Sequence, residues 1–103
     1  MKLTIIVPDN TVYEDGLSYS DLALDTCNIP ADVRVLQFNT DKSSGWLEFY
    51  PDNLGDTPPN QVIDALPEWA NACMLLWDEA NKKAQEIPVV IPDGNVVTKP
   101  SAT

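Results

Sequence analysis

Nine prolines in 103 residues leave this chain few places for a long regular element. Proline lacks an amide N–H and fixes φ, so each one ends a central strand or is accepted only in the first turn of a helix. Residues 2–7, KLTIIV, are β-branched and apolar, and they run into Pro8-Asp9-Asn10, which offers Pro at the second position of a type I turn. TVYE at 11–14 resumes a strand pattern that Asp15-Gly16 closes, so residues 2–14 are predicted to form a hairpin. The apolar run ending in Pro-Asp-(Asn/Gly) returns as LEFYPDN at 47–53 and PVVIPDG at 88–94. The continuation differs each time: a returning strand, a proline-rich loop, a second apolar run. The three stretches therefore share turn chemistry and are neither an internal repeat nor a ligand set.

The strongest strand signals are VRVLQFN at 33–39 and GWLEFY at 45–50, joined by the polar TDKSS. They are expected to pair antiparallel. Alternation puts Leu36, Phe38, Leu47 and Phe49 on one face, and Val33, Val35, Trp46 and Tyr50 on the other. Both faces are partly apolar, so one should meet a helix and the other a further layer, a loop or a partner. Residues 17–32 read as a loop with short extended pieces, and 51–61, with three prolines and a glycine, as a surface loop.

Pro67 marks the start of a helix, because its missing N–H would be unsatisfied there in any case. Trp69, Ala72, Cys73, Leu76 and Ala80 form one apolar stripe, widened by Ala70, Met74 and Trp77. Asp64 and Glu68 lie near its positive end and Lys82 and Lys83 near its negative end, and Pro88 stops it after about five turns. The expected fold class is α+β: a small antiparallel sheet of about four strands, in two hairpins, packed on one C-terminal helix. Residues 1–87 make one domain, and 88–103 continue as an extended arm or an edge hairpin turning at Asp93-Gly94. The apolar Val89, Val90, Ile91, Val96 and Val97 are hard to explain as free linker, and adding a strand to a neighbouring subunit would bury them.

Sixteen acidic residues against six basic ones give a net charge of −10, which argues against phosphate backbones and anionic membranes as direct partners. The acids are scattered along the chain, as on a solvated surface, and not massed as a nucleic-acid mimic would need. No apolar run reaches the roughly 18 residues of a membrane span, and Met1-Lys2-LTIIVP is short for a signal peptide, so the reading is a soluble, non-secreted protein.

The chain has no histidine, the usual base for a Ser or Cys nucleophile. No nucleophile elbow, phosphate-binding loop or dinucleotide fingerprint appears. The close carboxylates Glu14-Asp15, Asp78-Glu79 and Asp52 with Asp56 fall in turns or on a polar helix side, and DNLGDT misses the spacing of a calcium loop. Cys27 and Cys73 are too few for a zinc site, and two free thiols are favoured over a disulfide because Cys73 lies on the helix stripe. No catalytic, cofactor-binding or metal-ligating residue is therefore assigned. Trp69 and Trp77 suit the core, whereas Trp46, beside Tyr50 and close to Val35, is the better anchor for a partner.

The ordered set IPADVRVLQF, GWLEF and LPEWANACMLLWDEA resembles a group of small tailed-bacteriophage proteins. Their pattern is I-P-x-x-V-x-x-L-Q-aromatic, G-x-(I/L)-E-F, then L-P-x-W-A-x-x-C and a later W-x-x-A. The opening MKLTIIVPDNTVYEDGLSYSDL is similar too, and the resemblance covers residues 1 to about 84. It departs at Phe38, where tryptophan is common, in the PDNLGDTPPN loop and in the C-terminal arm. The resemblance implies a particle or tail component, found in the virion and in the host cytoplasm during assembly. Its partners would be other phage structural proteins or itself, and no active site or cofactor is implied. A transient tail or fibre assembly chaperone, an acidic inhibitor of a host defence enzyme, and a hydrolase or transferase are the competing readings. Deletion of residues 88–103 is expected to leave a folded domain that assembles less well. Loss of the cooperative thermal transition in the truncated chain would show instead that the arm completes the core.

Overall fold

In a computed structural model the apolar runs pair into a six-stranded antiparallel sheet in the order β3-β2-β1-β4-β5-β6. The structure describes residues 1–85 together with Val89–Val90 and Val96–Val97. The strands are β1 (Lys2–Ile6), β2 (Thr11–Glu14), β3 (Leu17–Tyr19), β4 (Val33–Asn39), β5 (Ser44–Phe49) and β6 (Gln61–Ile63), with the helix α1 (Glu68–Gln85) after them. The fold is α+β, and the two expected hairpins form its middle. Two strands of three residues each extend the sheet beyond the expected four. One of them, β3, pairs with β2 across Asp15-Gly16, whose φ values of 51° and 87° are those of a type I′ turn.

The first Pro-Asp-Asn makes the expected turn, with Pro8 at its second position, in the tight form of a single 3₁₀ turn. Val7–Asp9 form a 3₁₀ turn with Pro8 at its start, and Asn10, at φ 48°, donates its N–H to the Val7 carbonyl at 3.1 Å. Asparagine tolerates this left-handed geometry better than most residues, which lets the chain reverse into β2. Between Thr40 and Ser43 the β4–β5 connection is held by the Asn39 side chain, whose Oδ1 accepts from the N–H groups of Asp41 and Lys42.

Leu3, Ile5, Val12, Leu36, Phe38 and Leu47 share one buried sheet face, closed over by Ala70 and Cys73 of α1 and by Leu24 and Cys27 of the 20–32 crossover. Each fully buried aliphatic side chain contributes about 1.5–3 kcal/mol, so the crossover is part of the core and not only a connection. Val33 was expected on the opposite face, but a bulge between Val33 and Val35 shifts the register so that Val33 pairs with Phe49 and enters the core. The helix stripe is likewise rotated slightly: Ala70 and Cys73 lie deepest, with Trp69, Ala72, Met74, Leu76 and Trp77 around them. Its second half is fastened to the sheet edge. The Trp77 and Tyr19 rings meet edge to face at 5.4 Å, the Trp77 indole donates to the Leu17 carbonyl, and the Tyr19 hydroxyl donates to Asn81.

Val89–Val90 and Val96–Val97 pair antiparallel as a separate two-stranded sheet, β7 and β8. The choice between an extended arm and an edge hairpin for the rest of 88–103 falls outside the described residues. Ile91 and the expected Asp93-Gly94 turn are outside the described residues.

Gly45 stands opposite Phe38, and its missing side chain is a requirement of the packing. A Cβ there would collide with the Gln37 carbonyl oxygen and lie 2.7 Å from Phe38 Cα and 2.8 Å from its ring. Gly45→Ala is expected to destabilise the fold by roughly 1–3 kcal/mol, read as a lower urea midpoint at unchanged m-value. An unchanged midpoint would show that the β4–β5 pair can open without cost.

Candidate functional site

The sheet face opposite the helix carries one lateral row through all six strands: Ser18, Tyr13, Thr4, Gln37, Trp46 and Val62. Strand alternation makes this row, because each of its members neighbours a core-facing residue in its own strand. In the row, the Thr4 hydroxyl donates to Gln37 Oε1 at 2.6 Å. Trp46 is 41% exposed and its partner Val62 79% exposed, which leaves large apolar surface at the β5–β6 side.

Trp46 is exposed but not loose. Its indole N–H donates to Glu48 Oε2 at 3.0 Å, and Glu48 Oε1 accepts from Arg34 Nη2, also at 3.0 Å. Arg34 occupies the bulge, so the same irregularity that turns Val33 inward supplies the cation that fixes Glu48 and, through it, the indole. Such a chain of charge-assisted bonds orients a side chain more than it stabilises a fold, since the pair is partly solvated. An aromatic ring held in one orientation on an open sheet face loses little entropy when a partner covers it.

An open depression of about 400 Å³ lies beside Trp46 at the Ser44 end of the sheet. Lys2, Thr4, Gln37, Lys42 and Ser44 line it with the indole. Nothing in the sequence singles out the two lysines, because one lies at the start of β1 and the other in the β4–β5 loop.

Of the other anticipated contact residues, neither Val35 nor Tyr50 lines the depression beside Trp46. Val35 is buried, beside Ile6 in the register of β1 and β4. Tyr50 comes just after the end of β5, gives its N–H to the Asp32 carbonyl, and lines a different depression with Val33, Ile29 and Pro30. Val89, Val90, Val96 and Val97 belong to the C-terminal two-stranded sheet, and Ile91 lies outside the described residues.

Of the carboxylates, Glu14 and Asp78 are brought near one another, one from β2 and one from α1. Glu14 sits on the helix side of the sheet between Leu3 and Leu17, and its Oε2 is buried without a hydrogen-bond partner among the described residues. Burial raises its pKa, and the negative charges of Asp78 and then Asp15 push it further up. Asp52 and Asp56 close their own loop: Asp52 Oδ1 accepts from the N–H groups of Leu54 and Asp56 at 2.8 and 3.0 Å. Cys27 and Cys73 are free and buried side by side, and burial together with the neighbouring thiol pushes Cys73 up to about 12, so it is a thiol at neutral pH and not a nucleophile. Among the described residues no cluster of three metal-ligating side chains occurs, and no helix is long and apolar enough to cross a membrane.

Glu14 gives the chain a defined pH response. Its folded pKa lies above the unfolded value of 4.5, so the folded state binds more protons between the two values and loses stability as pH rises through that window. Glu14→Gln is expected to raise the thermal midpoint at pH 7, with the gain shrinking to nothing below about pH 4.5. Equal midpoints for the two proteins at pH 7 would show that the carboxylate is fully hydrated beneath the helix. Comparison of the chain with protein-family models, with curated proteins and with solved structures finds no match.

Proposed function

We propose that this protein is a non-enzymatic bacteriophage structural or tail-associated component that works by binding other virion subunits. The observation that carries the binding role is Trp46: an exposed indole, oriented by Glu48 and Arg34, on a sheet face with no second layer over its row among the described residues. The exposed Val62 beside it extends the apolar contact. The placement of this contact in a virion rests on the sequence resemblance to tailed-bacteriophage proteins, whose GWLEF motif contains both Trp46 and Glu48. The C-terminal segment 88–103 is the second contact in this reading, docking on a neighbouring subunit.

Two measurements test the two halves. Mass spectrometry of density-banded particles is expected to find the protein, and its absence from them would end the virion role. Affinity capture from infected cells is expected to recover structural proteins with the wild-type chain and about tenfold less of them with Trp46→Thr, a loss typical of a central aromatic anchor. Equal recovery would remove the Trp46 face from the contact.

A further inference from the structure

The depression beside Trp46 is cationic on a chain that is otherwise strongly acidic. Lys2 and Lys42 are two of only six basic residues, and neither has an ion-pair partner among the described residues. Asp41, next to Lys42, is engaged by the Met1 ammonium at 3.0 Å. The site thus joins two lysines without an ion-pair partner among the described residues to the apolar face of Trp46, with the exposed Val62 beside the indole on β6. An occupant that fits must carry an apolar side chain flanked by carboxylates, on a segment ordered enough to be inserted at small entropic cost.

The chain itself presents such a segment. The loop at 52–56, Asp-Asn-Leu-Gly-Asp, is tied by four hydrogen bonds: Asp52 Oδ1 accepts from Leu54 N and Asp56 N, Asp52 N donates to the Asp56 carbonyl at 2.7 Å, and Gly55 N donates to the Asp52 carbonyl at 3.0 Å. Gly55 at φ 83° makes the turn. At its tip Leu54 is 86% exposed, the most exposed large apolar side chain of the described residues. Asp52 and Asp56 flank it, and no cation pairs with either among the described residues. A leucine held out into water by a self-bonded loop gains nothing for its own fold.

We infer that the 52–56 loop of one copy of this chain docks into the Lys2/Lys42/Trp46 depression of a second copy. Leu54 packs on the indole and Val62, and Asp52 and Asp56 meet the two lysines. The donor loop leaves the Phe49 end of β5, whereas the depression lies at its Ser44 end, so the contact joins different surfaces of the two copies. Such a contact is head-to-tail and propagates into a ring or a filament instead of stopping at a symmetric dimer. This rests on the binding role assigned to the Trp46 face and names the partner that occupies it.

The test uses the purified full chain in sedimentation equilibrium. The weight-average mass of the wild type is expected to climb above the monomer value of 11.4 kDa with concentration and to fall back toward it at high salt, because the ionic part is screened. Leu54→Asp, which spoils the loop, and the double change Lys2→Glu with Lys42→Glu, which spoils the depression, are each expected to weaken association about tenfold or more. All three positions are on the surface, and unchanged thermal midpoints confirm that the variants fold. An equimolar mixture of the two variants retains one good loop and one good depression, so it should form a one-to-one heterodimer and stop there. A wild type that stays monomeric, variants that associate like the wild type, or a mixture that stays monomeric would each overturn the inference. Binding of the Trp46 face to other virion subunits is read separately, by capture, and survives any of those results.

Discussion

Everything in this fold hangs on the pairing of β1 with β4. It runs for five residues, from Lys2 opposite Asn39 to Ile6 opposite Val35, and it joins stretches far apart in the sequence into the centre of one sheet. Without it the chain holds two separate three-stranded meanders, β1-β2-β3 and β4-β5-β6, each with only half of the apolar face that the helix covers. With it, Ile5 and Leu36 meet under the helix, and Thr4 and Gln37 meet on the other side, so one contact sets both faces at once. The bulge at Arg34 then divides their labour: Val33 is sent inward to the core and Arg34 is left to grip Glu48 beside Trp46.

Much of this is legible in the chain. The strand at 33–39, the strand read at 45–50 and found one residue earlier, the hairpin at 2–14 and the proline-started helix come from alternation, turn residues and an apolar stripe that local physics obliges the chain to respect. The two outer strands are not legible, because three residues at a sheet edge give no period to read, and Gln61 and Ser18 are as much at home in a loop. Leu24 and Cys27 stand in a stretch rich in Asp, Asn and Ser, and only the path of the crossover beneath the helix shows that they are core. Alternation assigns Val33 to the wrong face for a definite reason: a bulge adds one residue to a strand, and a strict period of two cannot anticipate it.

The candidate site divides the same way. Trp46 can be found from one strand, since its neighbours Gly45 and Leu47 face the core and leave it outside. Lys2 and Lys42 cannot, because their meeting beside the indole depends on the β1–β4 register and on the hairpin loop above it. Tyr50 shares the parity of Trp46 but not its surroundings, since the strand ends at Phe49 and the chain turns toward Asp32. Glu14 is the reverse case. By sequence it is the solvated end of a strand beside a turn, yet the pairing with Leu3 and Leu17 places it under the helix, where its charge is poorly solvated.

The strands shorten steeply outward from the centre, from seven residues in β4 to three in β3 and three in β6. Each margin therefore offers only a few main-chain donors and acceptors for another strand to bind. A sheet tapered in this way resists growing sideways into a continuous ribbon, the route by which β-rich chains at high local concentration become fibres. A sheet so shaped leaves little main chain at its margins for a partner, so any recognition there falls to side chains, whose contacts can be weak, selective and reversible.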